Sequence, residues 1–260
     1  MKKTVLVTGA CINTGVAIVE KFAKEGYNVI FTGRKAEKVL EKEREYRAKF
    51  PSVEIVGYAI DSLIDDRTVD EASVEKMFSD IDSRGLFVET LVLNAADQGL
   101  GQRIFENPIT DLMKVINTNV VWNYCLSEHA ARRMKEMGGG NIVFINSNTA
   151  YRAIPDRIAY VASKGGQLGL MRALALDLGK YNIRVNAVLP GMIKTDRWEK
   201  NPDFYRDVPS RFTPIGDVAV GEDVADAVYY FSAHARNTTG AELVVDGGNT
   251  IQLYPIIPKQ

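Results

Sequence analysis

Short apolar runs of four to six residues recur along the chain, separated by longer stretches in which apolar positions return every three or four residues. The runs at 4–7, 28–32, 54–59, 90–93, 141–145, 184–189 and 242–245 read as strands. The stretches at 14–25, 35–49, 71–84, 112–135, 160–179 and 222–234 carry the helical period. Gly26 stops the first of these helices, and Gly138-Gly139-Gly140 stops the long fourth one. Strands that alternate with helices imply an α/β fold with a parallel sheet covered on both faces. Seven strands suit a single doubly wound domain spanning residues 1–260. No internal repeat, low-complexity tract or linker interrupts it. The segment 192–216 breaks the pattern, with Pro202, Pro209 and Pro214 and little periodicity. A stretch of that kind reads as a lid or substrate-binding loop. The tail 250–260 runs past the last strand, either disordered or docked on a neighbouring subunit.

Bulk properties narrow the partners. A chain of 260 residues is long enough to bury a large core. Net charge is −1, from 32 basic and 33 acidic residues, so no global field draws it to nucleic acid or to an anionic membrane. There are two cysteines, Cys11 and Cys125, without a Cys-x-x-Cys spacing. That argues against a disulfide framework or a structural zinc site and points to the cytoplasm. His129 and His234 are far apart, so neither a serine–histidine triad nor a histidine metal site is expected. The start, Met1-Lys2-Lys3 before an apolar run, resembles a signal peptide. The run is shorter than the roughly 7–15 residues a signal core needs, and reads better as a strand entering a turn. No run approaches the ~20 apolar residues of a membrane span.

Candidate chemistry sits at four places. Tyr160 and Lys164 stand four residues apart, which puts both side chains on one helix face. A neighbouring ammonium stabilises a phenolate and pulls the tyrosine pKa down from about 10. Ser147 follows the strand at 141–145, thirteen residues before the tyrosine. Near the start, Thr8-Gly9-Ala10-Cys11-Ile12-Asn13-Thr14-Gly15 links the first strand to the first helix. Glycines let backbone approach a pyrophosphate, and the helix N-terminus offers N–H groups to it. Alone, the turn also suits a tight connection without ligand. The middle glycine of such a loop is replaced by Asn13, a residue that tolerates left-handed backbone. At the end of the second strand Arg34 and Lys35 stand where an acidic residue would bind the ribose 2′-hydroxyl of NAD. A guanidinium there pairs with a 2′-phosphate instead, which favours NADP(H) over NAD(H); the alternative is a charged surface helix starting there.

Taken together, these segments resemble the short-chain dehydrogenase/reductase family over essentially the whole chain. Thr8-Gly9 through Asn13 and Gly15 match its cofactor loop. Asp61 matches its adenine-contacting acid, and Asn94-Ala95-Ala96 its Asn-Ala-Gly segment. Asn119, Ser147, Tyr160 and Lys164 match its catalytic tetrad. Pro190-Gly191 and Thr195 match the turn bordering the nicotinamide, and Val245-Asp246-Gly247-Gly248 the closing motif. The Tyr-x-x-x-Lys pair is common by chance; the ordered set is specific.

The resemblance implies a Rossmann-type oxidoreductase. Tyr160 would give a proton to a carbonyl oxygen as hydride arrives, or take one from an alcohol in reverse. Lys164 would lower its pKa and bond the nicotinamide ribose. Ser147 would hold the substrate oxygen, and Asn119 a water in a proton relay behind Lys164. The cofactor would rest on Gly9, Asn13, Thr14 and Gly15, with Arg34, Lys35, Asp61 and Ser62 at the adenosine end. Asn94, Ala95, Pro190, Gly191, Ile193 and Thr195 would line the nicotinamide end with Tyr160 and Lys164. Residues 63–68 read as a short insertion, a solvated loop rather than a calcium site. The substrate is a small carbonyl or alcohol compound, expected against 95–102, 148–155 and 192–211. Gln98, Thr149, Arg152 and Trp198 are the candidate contacts, with Arg152, Arg157 or Arg197 available for an acidic group and Phe204 for an apolar one. The polar lining suggests polar groups beside the reacting carbon. Alternatives are an NAD-linked polyol or sugar dehydrogenase and a non-catalytic nucleotide-sensing relative; Lys164 argues against a halohydrin dehalogenase. Small residues on the helices at 112–135 and 160–179, among them Ala130, Ala131, Gly165, Gly166 and Gly169, imply a homodimer or homotetramer.

Overall fold

The computed structural model describes residues 2–256, except the side chains of Arg197, Glu199 and Phe204. Seven strands form one parallel sheet: β1 (Thr4–Val7), β2 (Asn28–Gly33), β3 (Ile55–Ala59), β4 (Val88–Leu93), β5 (Gly140–Ile145), β6 (Ile183–Pro190) and β7 (Glu242–Val245). Their order across the sheet is β3-β2-β1-β4-β5-β6-β7. The chain therefore reverses direction across the sheet between β1 and β4, the place where a doubly wound sheet opens a ligand crevice at its strand C-termini.

Alternate side chains of each strand enter different cores. In β1, Leu6 joins the core formed with Phe78, Leu126, Phe144 and Met171. Val5 and Val7 face the opposite core with Ile18, Phe22, Tyr46 and Val228. The first core is roofed by α3 (Glu71–Ser83), α5 (Trp122–Glu136) and α6 (Ile158–Leu178), the second by α1 (Asn13–Lys24), α2 (Ala36–Lys49) and α10 (Gly221–Tyr229). Both strand faces are buried, which explains runs that are apolar rather than alternating. Deleting a side chain such as Leu6, fully buried between strands, costs about 2–5 kcal/mol.

The helix expected at 112–135 is not continuous. It begins earlier, as α4 (Ile109–Ile116), passes through a π-helical turn at Asn117–Val121, and resumes as α5. A single π turn keeps the apolar face roughly in place, so periodicity does not reveal it. A second π turn, Tyr230–His234, ends the helix expected at 222–234. The segment 192–216 is not irregular. It folds into three short helices, α7 (Asp196–Lys200), α8 (Pro202–Tyr205) and α9 (Val208–Phe212), with Pro202 and Pro209 in their first turns. Proline is tolerated there because the first-turn N–H groups have no helical partner. The insertion after Asp61 is a tight loop in which Asp65 accepts the N–H groups of Arg67 and Thr68 at 3.1 and 2.8 Å. Its Asp66 pairs with Lys114 of α4 at 2.6 Å. No helix among the described residues is long and apolar enough to cross a membrane.

Candidate active site

Between β1 and α1 the chain turns through Thr8–Ile12, and three contacts hold that turn. Thr32 receives the Gly9 N–H on its hydroxyl at 3.2 Å and the Ala10 N–H on its carbonyl at 2.9 Å. Asn94 donates to the carbonyls of Thr8 and Gly9 at 2.9 and 3.1 Å. Tyr46 of α2 donates its phenol to the Ala10 carbonyl. Gly15 packs so tightly that a Cβ there would sit 2.6 Å from the Gly9 carbonyl oxygen. Asn13 opens α1 with φ +49°, the left-handed conformation a glycine would take. The helix is capped by Ile12, which offers no side-chain acceptor, and its first turn has no acidic residue. Its leading N–H groups thus lack a side-chain acceptor and a negative charge, the condition under which a helix N-terminus receives an anion. This turn fits the pyrophosphate of a dinucleotide.

At the adenosine end, Arg34 and Lys35 are exposed at the end of β2 and no carboxylate stands with them. Asp61 is exposed just past β3 and accepts the Ser62 N–H at 2.7 Å; the Ser62 hydroxyl lies 3.1 Å from that of Thr118. At the other end, Gly191 donates its N–H to the Val245 carbonyl at 3.0 Å, and a Cβ on it would lie 2.6 Å from that of Asp246. Asp246 accepts from Gly248 and Thr250 N–H groups at 2.9 and 2.6 Å. Pro190 ends β6, Ile193 bridges to Ala219, and Thr195 caps α7. The residues matching the family's closing motif therefore buttress the turn expected at the nicotinamide.

The four candidate catalytic residues converge from β5, the π turn and α6. Ser147 follows β5, and its hydroxyl accepts the Thr149 N–H at 3.2 Å. Asn119 is fully buried in the π turn. Its side chain takes the Asp97 N–H at 2.8 Å and donates to the Asp97 carbonyl and the Ser163 hydroxyl, both at 2.9 Å. Lys164 Nζ donates to the Ile145 carbonyl at 2.8 Å and to Gln167 Oε1 at 3.0 Å, and lies 5.5 Å from the Tyr160 ring centroid.

The electrostatics differ from the expectation that Lys164 lowers the tyrosine. Burial raises the Tyr160 phenol above its ordinary value, against a hydrogen bond with Ser147 and the Arg157 charge, which pull it down. Burial also pushes the Lys164 ammonium down to about 7. A lysine that is half neutral near pH 7 and turned toward Ile145 and Gln167 exerts little pull on the phenol. The expected relay water behind Lys164 also meets a different arrangement: the Gln167 amide donates to the Asn119 carbonyl at 2.6 Å.

On the substrate side, Trp198 stacks on Tyr205 at 4.4 Å between centroids, so two of the short helices are joined by aromatic faces. The Thr149 hydroxyl is buried without a hydrogen-bond partner, a site that a substrate oxygen would satisfy. Gln98 is exposed, and its backbone carbonyl accepts from Arg157 at 2.9 Å. Arg152 is corrected. Its guanidinium donates to the carbonyls of Asn249 and Thr250 at 3.0 and 3.1 Å and to that of Gln252. It clasps the tail instead of waiting for an acidic group. The side chains of Arg197 and Phe204, and tail residues 257–260, lie outside the described residues.

Sequence reasoning passed over Gln167, Tyr46 and Thr32. Gln167 sits three residues after Lys164, a spacing that places it on the lysine's face. Tyr46 is the one aromatic residue in the charged stretch at 35–49, and that contrast marks it as buried.

A family model described as Enoyl-(Acyl carrier protein) reductase matches residues 9–250. An uncharacterized oxidoreductase of Thermotoga maritima is 33% identical over 258 residues, covering 96% of this chain and 97% of its own. An NADP-dependent (R)-specific alcohol dehydrogenase of Lentilactobacillus kefiri is 32% identical, with 96% and 97% covered. The crystal structure of L-sorbose reductase from Gluconobacter frateurii, complexed with NADPH and L-sorbose, superposes with a TM-score of 0.87 at 26% identity, over 97% of this chain and 98% of that one.

Proposed function

The chain belongs to the short-chain dehydrogenase/reductase family of oxidoreductases, and we propose that it transfers hydride between NADP(H) and a ketone or secondary alcohol bearing polar groups. The observation that carries this reading is the partly buried Tyr160, hydrogen-bonded to Ser147, with Lys164 beneath it beside a turn built for a pyrophosphate. A bound nicotinamide supplies or accepts the hydride. Tyr160 passes the proton to or from the substrate oxygen, and Ser147 holds that oxygen and steadies charge developing on it. Lys164 holds the nicotinamide ribose and keeps the phenol poised. Asn119 anchors the loop at Asp97 through both its side-chain atoms.

Arg34 and Lys35 support NADP(H), since a guanidinium suits a 2′-phosphate and no carboxylate competes there. The unpartnered Thr149 hydroxyl favours a substrate with an oxygen beside the reacting carbon. The likeness to L-sorbose reductase keeps a second reading, a polyol or sugar dehydrogenase, on the same site. Self-association is part of the proposal. Gly165 and Gly169 face open space on α6, and Val121 and Tyr124 are exposed. Ala130 and Ala131 contribute nothing there, being buried in the chain's own core. Separate titrations with NADPH and NADH, then a screen of carbonyl compounds for oxidation of the tighter binder, test the reading. Tighter NADH binding removes the case for Arg34, and a monomer by light scattering removes the oligomer.

A further inference from the structure

Gln167 is fully buried in α6, and every polar atom of its side chain is used. Oε1 accepts from Lys164 Nζ at 3.0 Å and from Asn146 Nδ2 at 3.2 Å. Nε2 donates to the backbone carbonyl of Asn119 at 2.6 Å. These partners dictate the amide's orientation: an ammonium needs the oxygen, and a carbonyl needs the N–H. Asn146 is held in turn, since its Nδ2 also donates to the Lys164 carbonyl at 3.0 Å and its Oδ1 accepts the Ser147 N–H at 2.7 Å. One buried network thus joins the backbone of Ser147, Lys164 and the π turn.

Resting on the reading of the site above, we propose that Gln167 is a positioning residue whose amide ties Lys164 to the Asn119 carbonyl in place of a relay water, confining proton exchange by Lys164 to its Tyr160 side. An ammonium has three N–H donors. The Ile145 carbonyl takes one and Gln167 a second, which leaves one for the side of Tyr160. Water both accepts and passes on a proton, but an amide N–H held on a carbonyl does neither at neutral pH. The link from Lys164 to Asn119 is therefore a tether without a proton path. The groups facing Lys164 are Tyr160 on its own helix, Ile145 and Asn146 from the β5 end, and Asn119 from the π turn. Arg157 lies beyond, 6.0 Å from the Tyr160 centroid.

Two measurements test this on the full-length protein without turnover. A high-resolution crystal structure is expected to show the Gln167 amide spanning Lys164 and Asn119. A water between those two groups, with Gln167 turned away, overturns the proposal. Titration of the Lys164 13Cε resonance, assigned by its loss in Lys164→Met, gives the second readout. Gln167→Glu sets a carboxylate against the ammonium and should raise the midpoint by one unit or more. Gln167→Leu removes the acceptor and should lower it. If Gln167→Leu does not fold, the near-isosteric Gln167→Glu still decides. Unmoved midpoints alongside a lower melting temperature reduce Gln167 to packing and overturn the proposal. Tyr160→Phe, assayed with NADPH and a carbonyl compound from the screen, separates the failures. Surviving turnover sinks the site reading and this proposal with it. Lost turnover with an unmoved Lys164 sinks the Gln167 proposal alone.

Discussion

The buried phenol of Tyr46 donates to the carbonyl of Ala10 at 2.8 Å, so a side chain of α2 pins the turn between β1 and α1. Tyr46→Phe keeps the ring and its edge-on contact with Phe31 but leaves the carbonyl without this donor. We expect a loss of about 1–2 kcal/mol in stability, a fall in melting temperature of about 2–6 °C, and several-fold weaker cofactor binding. Calorimetry and a fluorescence titration with NADPH check both; unchanged cofactor affinity shows that the pin does not shape the turn.

Asn13 holds φ +49° at the head of α1. Asn13→Gly should bind cofactor as the parent does. Asn13→Val forces a β-branched residue into left-handed backbone at a cost of about 1–2 kcal/mol or more, and should weaken cofactor binding sharply. Equal affinity of the two variants would remove the backbone argument.

Arg34→Ala should weaken NADPH by about tenfold or more while leaving NADH within about twofold, because only the 2′-phosphate loses a partner. Parallel loss for both cofactors would mean that Arg34 supports the fold at this edge instead of reading the phosphate.

Burial lowers Lys164 from 10.5 to about 7. Between those values the unfolded chain binds more protons than the folded one, so this group's contribution to stability rises with pH. The burial penalty is full below about pH 7 and gone above 10.5. Lys164→Met carries no charge to bury. Its stability relative to the parent should therefore be most favourable near neutral pH and decline toward alkaline pH, with a slope approaching about 1.4 kcal/mol per unit. Urea denaturation of cofactor-free protein across that window measures it, and a flat difference contradicts the assignment.

Arg152 clasps three tail carbonyls, while Ile256 and Gln252 bond the Arg211 carbonyl at 2.8 and 2.9 Å. The tail thereby joins the loop after Ser147 to the end of α9. Arg152→Ala should expose the tail to proteolysis and raise KM for neutral and acidic substrates alike. A loss confined to acidic substrates would restore the anion-binding role.

The strands and the order of the site motifs are legible in the sequence because each rests on a local rule. Val5, Leu6 and Val7 form an apolar run, Asn13 tolerates positive φ, and Tyr160 and Lys164 share a face. What escapes reading depends on distant backbone. Arg152 bonds carbonyls nearly a hundred residues away, and a carbonyl carries no side-chain signature. Gln167 looks like any polar residue on an amphipathic helix until the Asn119 carbonyl is brought to it. The short helices after Thr195 escape because their prolines read as breakers, although two of them occupy first turns.

The π turn at Asn117–Val121 also sets a frame for everything after it. It holds one residue more than a regular helix of the same span would. Deleting any one of these five residues would let the chain wind on as an unbroken α-helix, rotating all that follows by about 100°. Leu126, Ala130 and Met134 would swing away from the sheet, and half-exposed Tyr124 would swing toward it. This stretch can absorb exchanges of side chain, but its length is not free to vary.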